Sequence, residues 1–359
     1  MPKFALLDPT KTGRQAEELE NRLRHLIIGQ DEAIHQIVRA YQTYLAGLSP
    51  AGRPIGNFLF LGPTGSGKTR IVEATAEALL KNSRAVIKVD CAEFQHSHEI
   101  AKLIGSPPGY LGHRETHPLL SQEALNQHHT EKVKLSFVLF DEIEKASDAL
   151  WNLLLGILDK GVLTLGDNRK VDFSSTMIFL TSNLGANEMS SLLSPRLGFH
   201  VPSFEDSGNN AKLSVRMSHT GIAAARRKFT PEFINRLDKI VVFKALSIEE
   251  LDRIVDIELE MVQQRIQTAA AGESFSINVT DSAREFLLME GTDFRYGARH
   301  LKRAIERLLV QPLSNLMASG QIHSGDCIRV SHEEGSSSLI FGREPAAAYA
   351  WRVAVRVAA

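Results

Sequence analysis

The sequence predicts an α/β protein that consists of a doubly wound parallel sheet followed by a second, smaller α/β domain. Up to residue 243, short apolar runs rich in β-branched and aromatic residues alternate with longer segments of helical period. Such runs are typical of strands buried on both faces of a parallel sheet. The chain then changes to long amphipathic helices with three short strands between them. We expect the strands of the first sheet at 58–61, 85–89, 137–140, 177–180 and 240–243.

Helices are expected where apolar residues recur at spacings of three and four. A charged helix covers 15–27, and a second helix, capped by Asp31, presents an apolar face that runs from Ile34 to Leu48. The other helical segments are 68–80, 149–158, 211–228, 247–268, a segment ending at 289, and 298–318, which Pro312 interrupts. The remaining strands are expected at 275–279, 327–330 and 338–341.

These elements divide the chain into four parts. We assign an N-terminal arm and helix to 1–26, a large domain to 27–245, a small domain to 246–343 and a loose, alanine-rich tail to 344–359.

Composition excludes several classes of protein. The chain has 359 residues, of which 43% are hydrophobic and 23% charged, and this argues against global disorder. The formal net charge of −1 does not favour a protein that coats nucleic acid. Cys91 and Cys327 provide neither a metal-binding spacing nor a disulfide framework. Because no apolar run is long enough for a membrane span or a secretory signal, we expect a cytoplasmic protein without a membrane partner.

A glycine-rich loop follows the first strand and leads directly into a helix. It matches G-x-x-x-x-G-K-[ST] with the residues Gly62, Pro63, Thr64, Gly65, Ser66, Gly67, Lys68 and Thr69. Glycines allow backbone N–H groups to approach phosphate oxygens, and the helix N-terminus adds further donors. We expect Lys68 to reach the β and γ phosphates of a nucleotide and Thr69 to ligate Mg²⁺. An ordinary glycine-rich turn is the alternative, but it does not require this strand and helix.

Polar residues also end two later strands. Asp141 and Glu142 follow the apolar run 137–140, and Asn183 follows the run 177–180. Acids at this edge of a doubly wound sheet lie where such folds bind ligands. Asp141 is expected to hold Mg²⁺, Glu142 to deprotonate an attacking water, and Asn183 to contact the γ-phosphate or that water. The alternatives are an acidic helix cap for the two carboxylates and a turn former for Asn183.

The residues taken together resemble the AAA+ ATPases, and within them the Clp unfoldases, over 15–343. The relation is closest to the second ATPase ring of the two-ring Clp proteins. Besides the glycine-rich loop, the motifs are IIGQDEA at 27–33, GSPPGYLG at 105–112, FDEIEKA at 140–146, TSN at 181–183, FTPEFINRLD at 229–238 and GAR at 297–299. The resemblance implies a P-loop AAA+ domain with a smaller C-terminal lid domain, which hydrolyses ATP with Mg²⁺ in a homo-oligomer, expected to be a hexameric ring.

The resemblance also assigns roles to residues that spacing alone leaves open. Ile27 and Ile28 would line the adenine pocket. Arg236 would be the arginine finger that reaches the neighbouring subunit's site, and Arg299 would be the second sensor that reaches the nucleotide of its own subunit. A surface ion pair is the alternative for either arginine.

Gly109, Tyr110, Leu111 and Gly112 would form the pore loop that grips polypeptide, because an aromatic ring packs against any chain. The alternative is a proline–glycine turn with a half-buried tyrosine. The family usually continues with acidic residues and paired glycines, whereas this chain continues with HRETHP at 113–118. We therefore expect its grip on substrate or the mobility of the loop to differ from the family's. The local histidines favour a solvated loop over a metal site.

Leu197, Gly198 and Phe199 match the tripeptide with which some Clp unfoldases dock onto a ClpP-type peptidase. The alternative is that Leu197 and Phe199 pack onto their own domain.

The expected function is therefore an ATP-hydrolysing ring unfoldase that threads unfolded or tagged proteins through a central pore. Two alternatives stay open: an AAA+ remodeller of nucleic-acid complexes, and a scaffold that binds nucleotide without hydrolysing it. The first would need a basic stripe or a helix-turn-helix, neither of which the sequence shows. Intact Glu142, Asn183 and Arg236 argue against the second.

Overall fold

The computed structural model describes residues 8, 11–106, 117–186, 188–189, 207–269, 275–293 and 297–344, with the backbone alone at 207–214 and 269. The chain forms two compact units. The first runs to Lys244, and the second begins at Ala245 and also takes in Thr64–Ser66.

The first unit is built on a five-stranded sheet in which every neighbouring pair is parallel. The strands are β1 (Gly56–Leu61), β2 (Ile87–Asp90), β3 (Ser136–Asp141), β4 (Val162–Thr164), β5 (Lys170–Asp172), β6 (Thr176–Ser182) and β7 (Lys239–Val242). Their order in the sheet is β2-β3-β6-β1-β7, and a separate antiparallel pair joins β4 and β5. The predicted α/β fold class is confirmed.

The central strands are buried on both faces, as their continuous apolar sequences require. Phe58 and Phe60 of β1 pack on one face, where their ring centroids lie 5.3 and 5.6 Å from the ring centroid of Phe179. Leu59 and Leu61 point to the other face and join a second core. The period of two along the strand therefore supplies both apolar cores.

Helices complete the first unit. The α-helices are Arg14–Leu26, Asp31–Leu45, Lys68–Leu80, Ala101–Ile104, Gln122–Asn126, Asp148–Lys160, Ser207–Lys228 and Pro231–Ile234, and short 3₁₀ turns occur at Cys91–Glu93, Ser97–Ile100 and Ile143–Lys145.

Two details of the second helix were predicted wrongly. Its N-cap is Gln30, and no side chain makes a capping hydrogen bond there, so Asp31 is the first helical residue and not the cap. The helix ends at Leu45, because the chain turns through Gly47 at φ +67°. Leu48 therefore leaves the apolar face and is 76% exposed.

The second unit carries a three-stranded sheet with helices packed on it. Its strands are β8 (Ser276–Val279), β9 (Cys327–Ser331) and β10 (Ile340–Glu344) in the order β10-β9-β8, with β8 and β9 parallel and β9 and β10 antiparallel. The helices are Ile248–Ala269, Asp281–Gly291, Ala298–Ile305 and Gln311–Ala318, with a π-helical turn at Glu306–Val310.

The interruption expected at Pro312 lies one turn earlier, in that π-helical turn. Pro312 is near the start of the next helix, and its missing N–H disturbs the hydrogen bonding of the turn before it. Among the described residues, no helix has the length and apolar character needed to cross a membrane.

Candidate functional site

The polar residues predicted at strand ends meet at one edge of the parallel sheet. In the register of β1 and β6, Leu61 lies beside Ser182, so the glycine-rich loop and Asn183 begin at adjacent positions. β3 lies on the other side of β6 and ends with Asp141. The parallel directions of the strands thus bring the loop, the acids and Asn183 together.

The loop needs glycine at its first position. Gly62 has φ +146°, and a Cβ there would lie 2.6 Å from the carbonyl oxygen of Phe243. Gly67, at φ +99°, ends the loop where the helix Lys68–Leu80 begins, and a Cβ there would meet no heavy atom within 4 Å. The loop is therefore closed against the domain at one end and open at the other.

Lys68 points back into the loop. The residue is 8% exposed, and its Nζ donates to the carbonyl oxygens of Gly62 at 2.6 Å and Pro63 at 2.9 Å. The same ammonium donates to Oδ1 of Asn183 at 3.0 Å. The lysine thus joins the loop after β1 to the residue after β6.

Asn183 continues this chain of hydrogen bonds to Glu142. Its Nδ2 donates to Oε1 of Glu142 at 3.2 Å. The backbone of Glu142 is left-handed, with φ +55°, a conformation that non-glycine residues rarely adopt and that often accompanies function. The structure therefore brings three predicted site residues together in the order Lys68, Asn183, Glu142.

Thr181 supports both acids, and its sequence context alone did not single it out for this task. Its side chain donates to Oδ1 of Asp141, and its Oγ1 accepts the backbone N–H of Glu142 at 3.2 Å. Thr181 is 1% exposed. The pattern that would have found it is a hydroxyl residue near the end of the strand beside the acidic one.

Two further charged residues of the turn after β3 belong to the site and were also missed. Glu144 accepts the backbone N–H of Asn183 on Oε1 at 3.1 Å. Lys145 forms a hydrogen-bonded ion pair with Oε2 of Glu142. This hydrogen bond raises the pKa of the lysine above its ordinary value. Lys145 therefore stays charged beside Glu142 at neutral pH.

The donors at this edge fit a nucleotide with a divalent cation. The helix Lys68–Leu80 begins without a side-chain cap, beside the open space at Gly67, and such helix N-termini bind phosphate. The Thr69 hydroxyl and the Asp141 carboxylate supply the oxygen ligands that Mg²⁺ prefers. Their roles, like those of the other candidate residues, stay predictions.

Ile27 and Ile28 follow the first helix and are 6% and 7% exposed. The N–H of Ile27 donates to Leu23, and the side chain of Gln30 pairs with both backbone groups of Lys244 at 3.0 and 3.1 Å. The segment is thus fixed within its own unit, and its contact with adenine stays a prediction.

Arg236 does not join this cluster within the described part of the chain. Its guanidinium lies 3.2 Å from Glu232 and 3.8 Å from Asp159, and its side chain is 25% exposed. Arg299 is the second residue of the helix Ala298–Ile305 in the second unit. The predicted finger and second sensor therefore remain predictions.

The pore-loop residues Gly109, Tyr110, Leu111 and Gly112 lie outside the described residues, and so do the docking residues Leu197, Gly198 and Phe199.

Two protein-family models together match most of the chain. The family model described as AAA domain (Cdc48 subfamily) matches residues 53–240, and that of the C-terminal D2-small domain of ClpB matches residues 246–330.

Three relatives illustrate the similarity. The chain is 39% identical to the chaperone protein ClpB of Bdellovibrio bacteriovorus over 90% of its own length and 34% of that protein. It is 39% identical to the negative regulator of genetic competence ClpC/MecB of Bacillus subtilis, over 88% and 37% of the two chains. It is 37% identical to heat shock protein 100 of Trypanosoma brucei brucei, over 91% and 35%. The chain thus spans about a third of the length of these relatives.

Two solved structures are similar to this chain in fold as well as in sequence. A closed-state Hsp104 reconstruction with ATPγS and FITC casein matches with a TM-score of 0.74 and 29% identity, over 92% of this chain and 52% of that one. The extended S. cerevisiae Hsp104:casein complex matches with a TM-score of 0.75 and 28% identity, over 92% and 53%.

Proposed function

Because the chain belongs to the AAA domain family and carries a small domain of the ClpB type, we propose that it hydrolyses ATP to drive the unfolding of other proteins. Its predicted resemblance to the Clp proteins is confirmed by these family matches and relatives. The observation that carries the proposal of hydrolysis is the hydrogen-bonded series from Lys68 through Asn183 to Glu142 at the sheet edge.

The proposed roles follow from the chemistry of each group. The glycine-rich loop and Lys68 bind the phosphates, while Thr69 and Asp141 hold Mg²⁺, which neutralises phosphate charge. Glu142 accepts a proton from the attacking water, and Asn183 orients that water and the carboxylate. Thr181 keeps Asp141 and Glu142 in place through its two hydrogen bonds.

The use of this hydrolysis on polypeptides is proposed from the relatives. ClpB is named a chaperone, and two Hsp104 structures are described with casein. We assign Tyr110 to a pore that grips unfolded or tagged protein, and Arg236 to the site of a neighbouring copy in a ring of six. Docking of Leu197–Phe199 onto a ClpP-type peptidase is proposed from the tripeptide pattern.

The experiment is an ATPase assay of the purified chain with and without unfolded casein. We expect hydrolysis that casein stimulates and that Glu142→Gln abolishes. Stimulation by DNA in place of casein would favour a nucleic-acid remodeller. Tight ATP binding without any turnover would favour a scaffold and contradict the proposal.

A further inference from the structure

Glu144 makes a contact that the proposed chemistry leaves unexplained. It lies two residues after Glu142, in the 3₁₀ turn Ile143–Lys145, and its carboxylate reaches across to the end of β6. There Oε1 accepts the backbone N–H of Asn183 at 3.1 Å. The other oxygen, Oε2, is buried and has no hydrogen-bond partner among the described residues.

This burial is costly in terms of folding energy. A buried carboxylate oxygen without a partner destabilises a protein, and an apolar or shorter side chain would avoid the cost. A carboxylate with one buried, unpaired oxygen therefore calls for an explanation, and the hydrogen bond made by its other oxygen can supply one. For Glu144, that oxygen holds the main chain of Asn183.

Asn183 depends on this support because its side chain spans two partners. Oδ1 accepts from Lys68 at 3.0 Å and Nδ2 donates to Glu142 at 3.2 Å. The second distance is at the upper limit of an ordinary N–H···O bond, so a small shift of the main chain would break it. The next residue, Leu184, donates its N–H to the Ser182 hydroxyl at 3.1 Å, and its side chain packs against the second apolar core.

We propose that Glu144 is a positioning residue for the hydrolytic site, which fixes the main chain of Asn183 so that the amide reaches Glu142. This inference rests on the proposed ATPase function. Glu144 touches neither nucleotide nor water in this role. It acts through Asn183, and what matters is the reach of an oxygen acceptor and not the negative charge.

Two conservative variants separate reach from charge. Glu144→Gln loses the charge but keeps an acceptor oxygen at the same distance along the side chain. Glu144→Asp keeps the charge but is one methylene shorter. We expect Glu144→Asp to lower kcat by about tenfold with KM for ATP within about twofold of the parent, since the phosphate loop is untouched. We expect Glu144→Gln to keep kcat within about threefold of the parent.

A second measurement does not depend on hydrolysis. Amide hydrogen exchange at Asn183, in the chain without nucleotide, should accelerate in Glu144→Asp and stay near the parent rate in Glu144→Gln. Thermal unfolding of both variants checks that they are folded.

Each possible result either supports or overturns the positioning role of Glu144. Equal kcat in the parent and Glu144→Asp would overturn the inference. Equal losses in both variants would also overturn it, because removing the charge at full reach would then do as much harm as shortening the side chain. Unchanged exchange at Asn183 in Glu144→Asp would also overturn it. A parent that hydrolyses no ATP would contradict the proposed function and this role with it, whereas an active parent with an equally active Glu144→Asp contradicts only the inference.

Discussion

Replacing Thr181 with valine removes a single hydroxyl from under both acidic residues of the site. Valine has nearly the same shape as threonine, so the packing of this residue, which is 1% exposed, is expected to survive. What is lost is the hydrogen bond to Asp141 and the bond accepted from the N–H of Glu142 at 3.2 Å. Within the described part of the chain, Oδ1 of Asp141 and the N–H of Glu142 then lose this side-chain partner.

The magnitude follows from the two bonds. A hydrogen bond to a charged acceptor contributes about 1.5–3 kcal/mol, and a bond between neutral groups contributes about 1 kcal/mol. Asp141 is only half-buried, so water will replace part of the loss. We therefore expect Thr181→Val to destabilise the chain by about 2 kcal/mol, which lowers the melting temperature by roughly 4–8 °C for a domain of this size.

The assay is thermal unfolding of the parent, Thr181→Val and Thr181→Ser, followed by ATP turnover of each. Serine keeps the hydroxyl and loses only a methyl group, so it should retain more of the melting temperature and of the turnover than valine does. If Thr181→Val has the melting temperature of the parent while that of Thr181→Ser is lower, the hydroxyl is unimportant and the reasoning about Asp141 and Glu142 fails.

Three further predictions concern the loop, the finger and the pore. Gly62→Ala should prevent stable folding of the large unit, because its Cβ would lie 2.6 Å from a carbonyl oxygen. The control is Gly320→Ala, at φ +71° with no atom within 4 Å of the added Cβ, which should lower the free energy of unfolding by only about 1–2 kcal/mol in thermal unfolding. Arg236→Ala should lose turnover and keep nucleotide affinity, and mixing it with Glu142→Gln should restore some ATPase; no recovery at any ratio would argue against action between subunits. Tyr110→Ala should keep basal ATPase and fail to unfold a tagged fluorescent reporter, and parental unfolding by this variant would exclude the pore role.

Much of the fold could be predicted because its signals are local. All five strands of the parallel sheet were expected from continuous apolar runs, and the helix Lys68–Leu80 has the predicted bounds. The β4–β5 pair was missed, since strands of three residues with one buried side chain each carry almost no periodic signal. Leu48 was misplaced because periodicity alone cannot tell where a helix stops before a glycine.

The candidate site was predictable to a similar depth. Strand direction alone brings Lys68, Glu142 and Asn183 to one edge, so their meeting follows from motifs and topology. The supporting contacts of Thr181 and Glu144 were not foreseen, because they depend on which side chains of neighbouring strands and turns reach each other. Such contacts between segments about forty residues apart leave no pattern in a single sequence.

Single-turnover ATP hydrolysis by Glu142→Gln, measured beside nucleotide binding, tests the central claim most directly. The phosphate loop and Lys68 are intact in this variant, so nucleotide affinity should stay within about threefold of the parent, while hydrolysis should fall by at least about 100-fold because the proton acceptor is lost. Hydrolysis at the parental rate with the same affinity would contradict the assignment of Glu142 and the proposed site with it.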